Sequence, residues 1–286
     1  MTLPDLDVWG LVTIATKFAL YLGVLAAAGT TLAALVFRFN NYRNLCLTFG
    51  SLGLLAAIFA FLLPGANLTG DASGMIDPEM LGLLWDTPVG TALMYRIAGL
   101  GLLIIGLFMG RIGLWLSVIG GIVAIWSFDH IGHVAGRKTT LLDIILILHL
   151  IAIALWIGVL TPLKRLTSKP RTWRFAADVG HRFGLVASVT VPLLIIAGLY
   201  MSYELVGSFT ALVGTGYGQA LILKVVLVAG LLVLGALNKL YFVPGLQANE
   251  PKAALRLASS ITIEWIIILA VLGITSILTS NLTLPT

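Results

Sequence analysis

Leu141–Leu163 reads LLDIILILHLIAIALWIGVLTPL, a run with the length and apolar character of a bilayer-spanning helix. Such a helix needs about 20 mostly apolar residues. Entering near Thr139 and rising about 1.5 Å per residue, it would carry His149 about 15 Å deep, close to the bilayer midplane. An imidazole at that depth is costly to bury without a partner, which makes His149 a candidate functional residue. Ala152 and Trp156, at i+3 and i+7, share its helical stripe. The plainer alternative is a structural histidine hydrogen-bonded to a neighbouring helix.

Seven further apolar runs accompany this one: Val8–Phe37, Asn44–Leu63, Thr87–Met109, Ile112–Phe128, Phe183–Tyr203, Tyr217–Leu237 and Ser259–Ser280. The 286 residues are 59% hydrophobic and 10% charged, where soluble domains carry about 25% charged residues. With a mean hydropathy of +1.06, the chain reads as an all-α polytopic membrane protein of about eight transmembrane helices. It forms one membrane-embedded domain over residues 1–286, with no internal repeat and no attached soluble domain. Arg111 is the only charge between the third and fourth runs, which makes that connection the tightest.

The loops predict the orientation. Arg38, Arg43, Arg111, Lys164, Arg165, Lys169, Arg171, Arg174, Lys239, Lys252 and Arg256 fall on one side. Asp5, Asp7, Asp71, Asp77, Glu79 and Asp86 fall on the other, with Arg137 and Lys138 as its only loop cations. The positive-inside rule then places both termini on the outer, periplasmic side. The pI of 9.5 reflects these basic loops and implies no nucleic-acid partner; the lipid bilayer is the expected surroundings. The single cysteine, Cys46, excludes an internal disulfide framework and a CxxC motif. An acidic N-terminus before a long apolar run is not expected to be a cleavable signal peptide. No phosphate-binding loop, HExxH or GxSxG occurs, so neither ATP-driven transport nor these hydrolase chemistries is supported, and the chain reads as no enzyme.

His130 and His133 lie where the fourth run ends, so three of the four histidines gather near one membrane face. If the fourth helix continues, Asp129 and His133 become i,i+4 neighbours, and the carboxylate can orient the imidazole. A solvated helix end is the alternative. Imidazole is a ligand for copper, zinc or haem iron. Met94 in the third run, and Met201 with Glu204 in the sixth, could add soft or charged ligands: thioether suits Cu(I), carboxylate Cu(II). Simple packing is the competing role for each methionine. Lys17 reads as an interfacial anchor, whereas Arg96 and Lys224 lie deeper and need partners, with Glu204, Asp86 and Asp143 as candidates. Pro192 should kink the sixth helix.

The second half resembles the CopD family of inner-membrane copper-resistance and copper-transport proteins. The resemblance runs through Gly132-His133-Val134-Ala135, then His149 to Trp156-Ile157-Gly158, Arg182-Phe183 and Ala197-Gly198. It continues in Gly214-Thr215-Gly216-Tyr217-Gly218, Leu223-Lys224, Leu237-Asn238-Lys239, Pro244 and Glu264. This covers about 128–280, while residues 1–127 match loosely, through Trp85 to Gly90 and Arg96. Val159 stands where the family has a second glycine, Lys239 where it has arginine, and Gly184 where it has serine. The resemblance implies a multi-pass inner-membrane protein that moves or relays copper ions, with His133 and His149 as site residues. Any periplasmic copper donor, a CopC-like protein, would be a separate chain. Two other readings stay open: a b-type haem electron carrier, which needs two facing histidines, and a structural or assembly subunit without metal.

Overall fold

The computed structural model describes residues 8–132, 140–280 and 282, apart from the side chain of Arg111. Among them, eight helices are long and apolar enough to cross a membrane, and no strand occurs. In chain order they are Val8–Phe37, Arg43–Thr69, Pro88–Gly106, Gly110–Trp126, Thr140–Thr167, Trp173–Val206, Gly216–Leu237 and Pro251–Ser280, hereafter the first to eighth helices.

Their ends follow from local chemistry. Thr87 and Thr215 cap the third and seventh helices, their hydroxyl oxygens accepting from the Val89 and Gly218 N–H groups at 3.2 and 3.1 Å. Such caps satisfy donors that have no partner within the helix. Between the third and fourth helices the chain reverses at Gly110, whose φ of +65° a residue without Cβ adopts at little cost. The tight connection before Arg111 is therefore a genuine helix boundary.

Four helices outrun the apolar stretches that announce them. The second continues through Pro64 to Thr69 and the fifth through Lys164 to Thr167, while the sixth begins at Trp173 and the eighth at Pro251. Apolar sequence marks what a bilayer would cover, whereas backbone hydrogen bonding carries on into polar flanks. The basic segment 164–182 is consequently mostly helical, and the acidic segment 64–86 holds a short helix, Pro78–Trp85. The fourth helix does the opposite. It ends at Trp126, tightens into a 3-10 turn over Ser127–Asp129, and reaches Gly132 at φ +126°. The helix on whose continuation the i,i+4 pairing of Asp129 with His133 was conditional ends before Asp129, and His133 itself lies outside the described residues.

The first helix is the centre of the bundle. It packs against the second, fourth, fifth and eighth, and 72% of its most apolar stretch is buried, against 6% for the sixth and seventh. Those two face outward, where lipid tails accommodate apolar side chains as readily as another helix would. The first and fifth helices meet backbone to backbone at Gly29 and Gly158.

Candidate functional site

Polar groups concentrate at the end of the bundle that holds His130, here called the histidine end. Where the fourth helix tightens, the Ser127 hydroxyl donates to the Ala124 carbonyl at 2.6 Å and accepts from Arg96 Nε at 3.1 Å. These two hydrogen bonds hold the turn that presents Asp129 and His130. The His130 ring lies on Tyr95, with centroids 4.8 Å apart. Asp143, in the first turn of the fifth helix, is close enough for its carboxyl to act on that of Asp129. Among the described residues, Asp129 Oδ1 and His130 Nδ1 are both buried with no hydrogen-bond partner.

His149 follows six residues beyond Asp143 on the same helix. Nine residues after the helix start at Thr140, it lies about 14 Å along the axis. Its Nδ1 is also buried without a partner among the described residues. Lys224, from the seventh helix, is near enough for its charge to act on the ring. Ordinarily a buried ring nitrogen finds a hydrogen bond, because leaving it unpaired costs about 1–3 kcal/mol. Two such ring nitrogens, with a carboxylate oxygen beside the first of them, therefore mark these positions as candidates for binding.

The remaining candidates are placed differently. Met94 points outward, 49% exposed. Met201 is half-buried, and Glu204 interacts with Tyr200 one turn before it in the sixth helix. Among the described residues, no three His, Cys, Asp or Glu side chains converge as a cage. Arg96 turns to Ser127 and to the face of Phe128, not to a carboxylate. The Lys17 ammonium donates to the carbonyl of Thr279, in the last turn of the eighth helix.

A second buried polar cluster lies deeper. Trp156, seven residues after His149 and about 10 Å further along the axis, donates from Nε1 to Glu264 Oε2 at 3.0 Å. Asn238 Nδ2 donates to the other carboxylate oxygen at 2.5 Å. Glu264 is 1% exposed, and Asn238 opens a π-helical turn, Asn238–Phe242, that follows the seventh helix. The family resemblance had picked out all three residues singly. Nothing in their spacing said that they meet, because they come from three different helices.

Fold and site together define a polytopic helical membrane protein with unpartnered imidazole nitrogens leading inward from one end. Residues 5–144 match the family described as "Copper resistance protein D-like, N-terminal domain", and residues 177–278 match "Copper resistance protein D". The chain belongs to the copper resistance protein D family. It is 30% identical over 155 residues to the copper transport protein CutJ of Bacillus subtilis (strain 168), an alignment covering 52% of this chain and 27% of that relative. The chain thus spans about a quarter of that curated relative's length. No solved structure matches it. His149 and Trp156 fall between the two family-matched stretches.

Proposed function

We propose that this chain moves or relays copper ions at the inner membrane, capturing them near His130 and His133 and passing them to His149. The reading is carried by the buried, unpartnered nitrogens of His130 and His149, together with Asp129 Oδ1 beside the first of them. Each has a lone pair available to a metal and no protein donor competing for it. The charge pattern of the loops supports a periplasmic position for this end, and a separate CopC-like protein is the proposed donor. The resemblance in half of the chain to a copper transport protein supports the same cargo.

Dispersed ligands suit a relay better than a store. A site that conducts must bind well enough to be entered and weakly enough to be left. Lys224 beside His149 serves the second requirement, since its positive charge would shorten the stay of a metal cation. Lys224→Gln should therefore retain copper severalfold more tightly than wild type, measured by competition with a chelator. Unchanged retention would remove Lys224 from the mechanism.

Elemental analysis and an optical spectrum of purified protein after copper exposure test the reading itself. Near-stoichiometric copper in the wild type, lost in His149→Ala and reduced in His130→Ala, without a haem band, is the expected result. Absence of copper from wild type and variant alike, with both folded, would sink the His149 site and leave a likeness of fold.

A further inference from the structure

Lys17 and Arg96 line one cavity at the histidine end, and among the described residues no carboxylate accompanies them there. The cavity, about 210 Å³ in volume, lies among the first, second, third and eighth helices and the turn after the fourth. Its other polar walls include Tyr21, Asn67 and Thr279. That volume is several times the roughly 30 Å³ that one water occupies in the liquid.

The two cations are held in place by neutral groups. Arg96 is 4% exposed, donates from Nε to Ser127, and lies 5.6 Å from the Phe128 ring centroid. Its two terminal amino groups make no hydrogen bond among the described residues. The Lys17 ammonium reaches the Thr279 carbonyl and is close enough to Arg96 for the two charges to repel. Among the described residues the one ion pair is Arg182–Asp178, made within the sixth helix. Eight residues into the third helix and nine into the first, both cations sit about 12–14 Å from their helix starts.

Two adjacent positive charges at that depth are expensive unless something negative joins them. A copper ion cannot be that partner, since the pair would repel it, so this cavity is distinct from the His149 route. A guanidinium offers paired N–H donors that match two oxygens of one oxyanion, and an ammonium adds a compact charge with further donors. We propose that this cavity binds an oxyanion of the phosphate type, taken either from free phosphate or from the headgroup of an anionic phospholipid. This inference does not depend on copper.

Titration calorimetry of the purified full chain in neutral detergent with inorganic phosphate supplies one arm of the test. Native mass spectrometry after reconstitution with phosphatidylglycerol supplies the other. Saturable phosphate binding, weakened at least tenfold in both Lys17→Gln and Arg96→Gln, would assign the site to free phosphate. Retention of phosphatidylglycerol that the same substitutions abolish, with no response to free phosphate, would assign it to the lipid headgroup. Binding of neither ligand by the folded wild-type chain overturns the proposal, as does binding that both variants keep. If Arg96→Gln does not fold, Arg96→Lys takes its place: it keeps the charge without the fork and should weaken binding severalfold, and undiminished binding would count against the proposal. His149→Ala should leave anion affinity unchanged; loss there would overturn the separation of the two sites.

Discussion

Gly158→Leu should prevent the chain from accumulating in folded form, and Gly158→Ala should already lower its melting temperature in detergent. A Cβ placed on Gly158 would lie 2.0 Å from the carbonyl carbon of Gly29 and 2.4 Å from Thr30 N, and one placed on Gly29 would lie 1.7 Å from the Ala154 carbonyl oxygen. These are backbone atoms, which no rotamer change can move. The two helices must separate, and the first helix is the one against which four others pack. Overpacking a close-fitting interior costs about 1–3 kcal/mol and occasionally more. Membrane helices feel such a loss acutely, because lipid tails are as apolar as side chains and close packing supplies much of the association energy. Gly198→Ala is the control: a Cβ there meets nothing within 4 Å, and alanine is the better helix former by about 1 kcal/mol. It should melt at or above the wild-type temperature. A Gly158→Ala chain that melts like wild type would show that the crossing tolerates a methyl group and that contact at this point does not set the bundle.

The contrast between these glycines marks what the sequence carries and what it leaves open. Gly158 and Gly198 both stand in the segments that resemble the family, and as letters they are equivalent. Only the packing separates one that touches a backbone from one that faces open space. The eight helices were legible because length and apolar character suffice to specify a spanning helix, and their extension to Trp173 and Pro251 was hidden because polar flanks carry no such mark. At the candidate site, the burial of the His149 ring nitrogen was legible from its depth in an apolar run. Asp143 beside Asp129, and Lys17 turned toward Arg96, were not. A helix apolar on all sides has no stripe to say which face meets which neighbour. The carboxyl pair arises because the turn that closes the fourth helix lies against the first turn of the fifth, a fact of tertiary structure without local signature.

The deeper cluster allows charge and hydrogen bonding to be separated by two substitutions at one position. Glu264→Leu should strongly destabilise the bundle, whereas Glu264→Gln should fold nearly as well as wild type. In the leucine variant the Trp156 indole N–H and the Asn238 amide each lose their acceptor in a buried setting. An unsatisfied buried donor costs about 1–3 kcal/mol, although hydrogen bonds between membrane helices average nearer 0.6 kcal/mol. The expected loss for two donors is therefore about 1–6 kcal/mol, read as a fall in melting temperature in detergent. Glutamine keeps the volume and one acceptor for Trp156. Its amide would face Asn238, whose Oδ1 is buried with no partner; a half-turn of the Asn238 amide lets that oxygen accept, restoring both bonds without a charge. Trp156→Phe, which removes one donor and leaves Glu264 an unfilled acceptor, should fall between the two. Equal melting of the leucine and glutamine variants would mean that the cluster does not hold these helices together. A stable glutamine variant that no longer moves copper, in turn, would assign the Glu264 charge to transport, and not to folding.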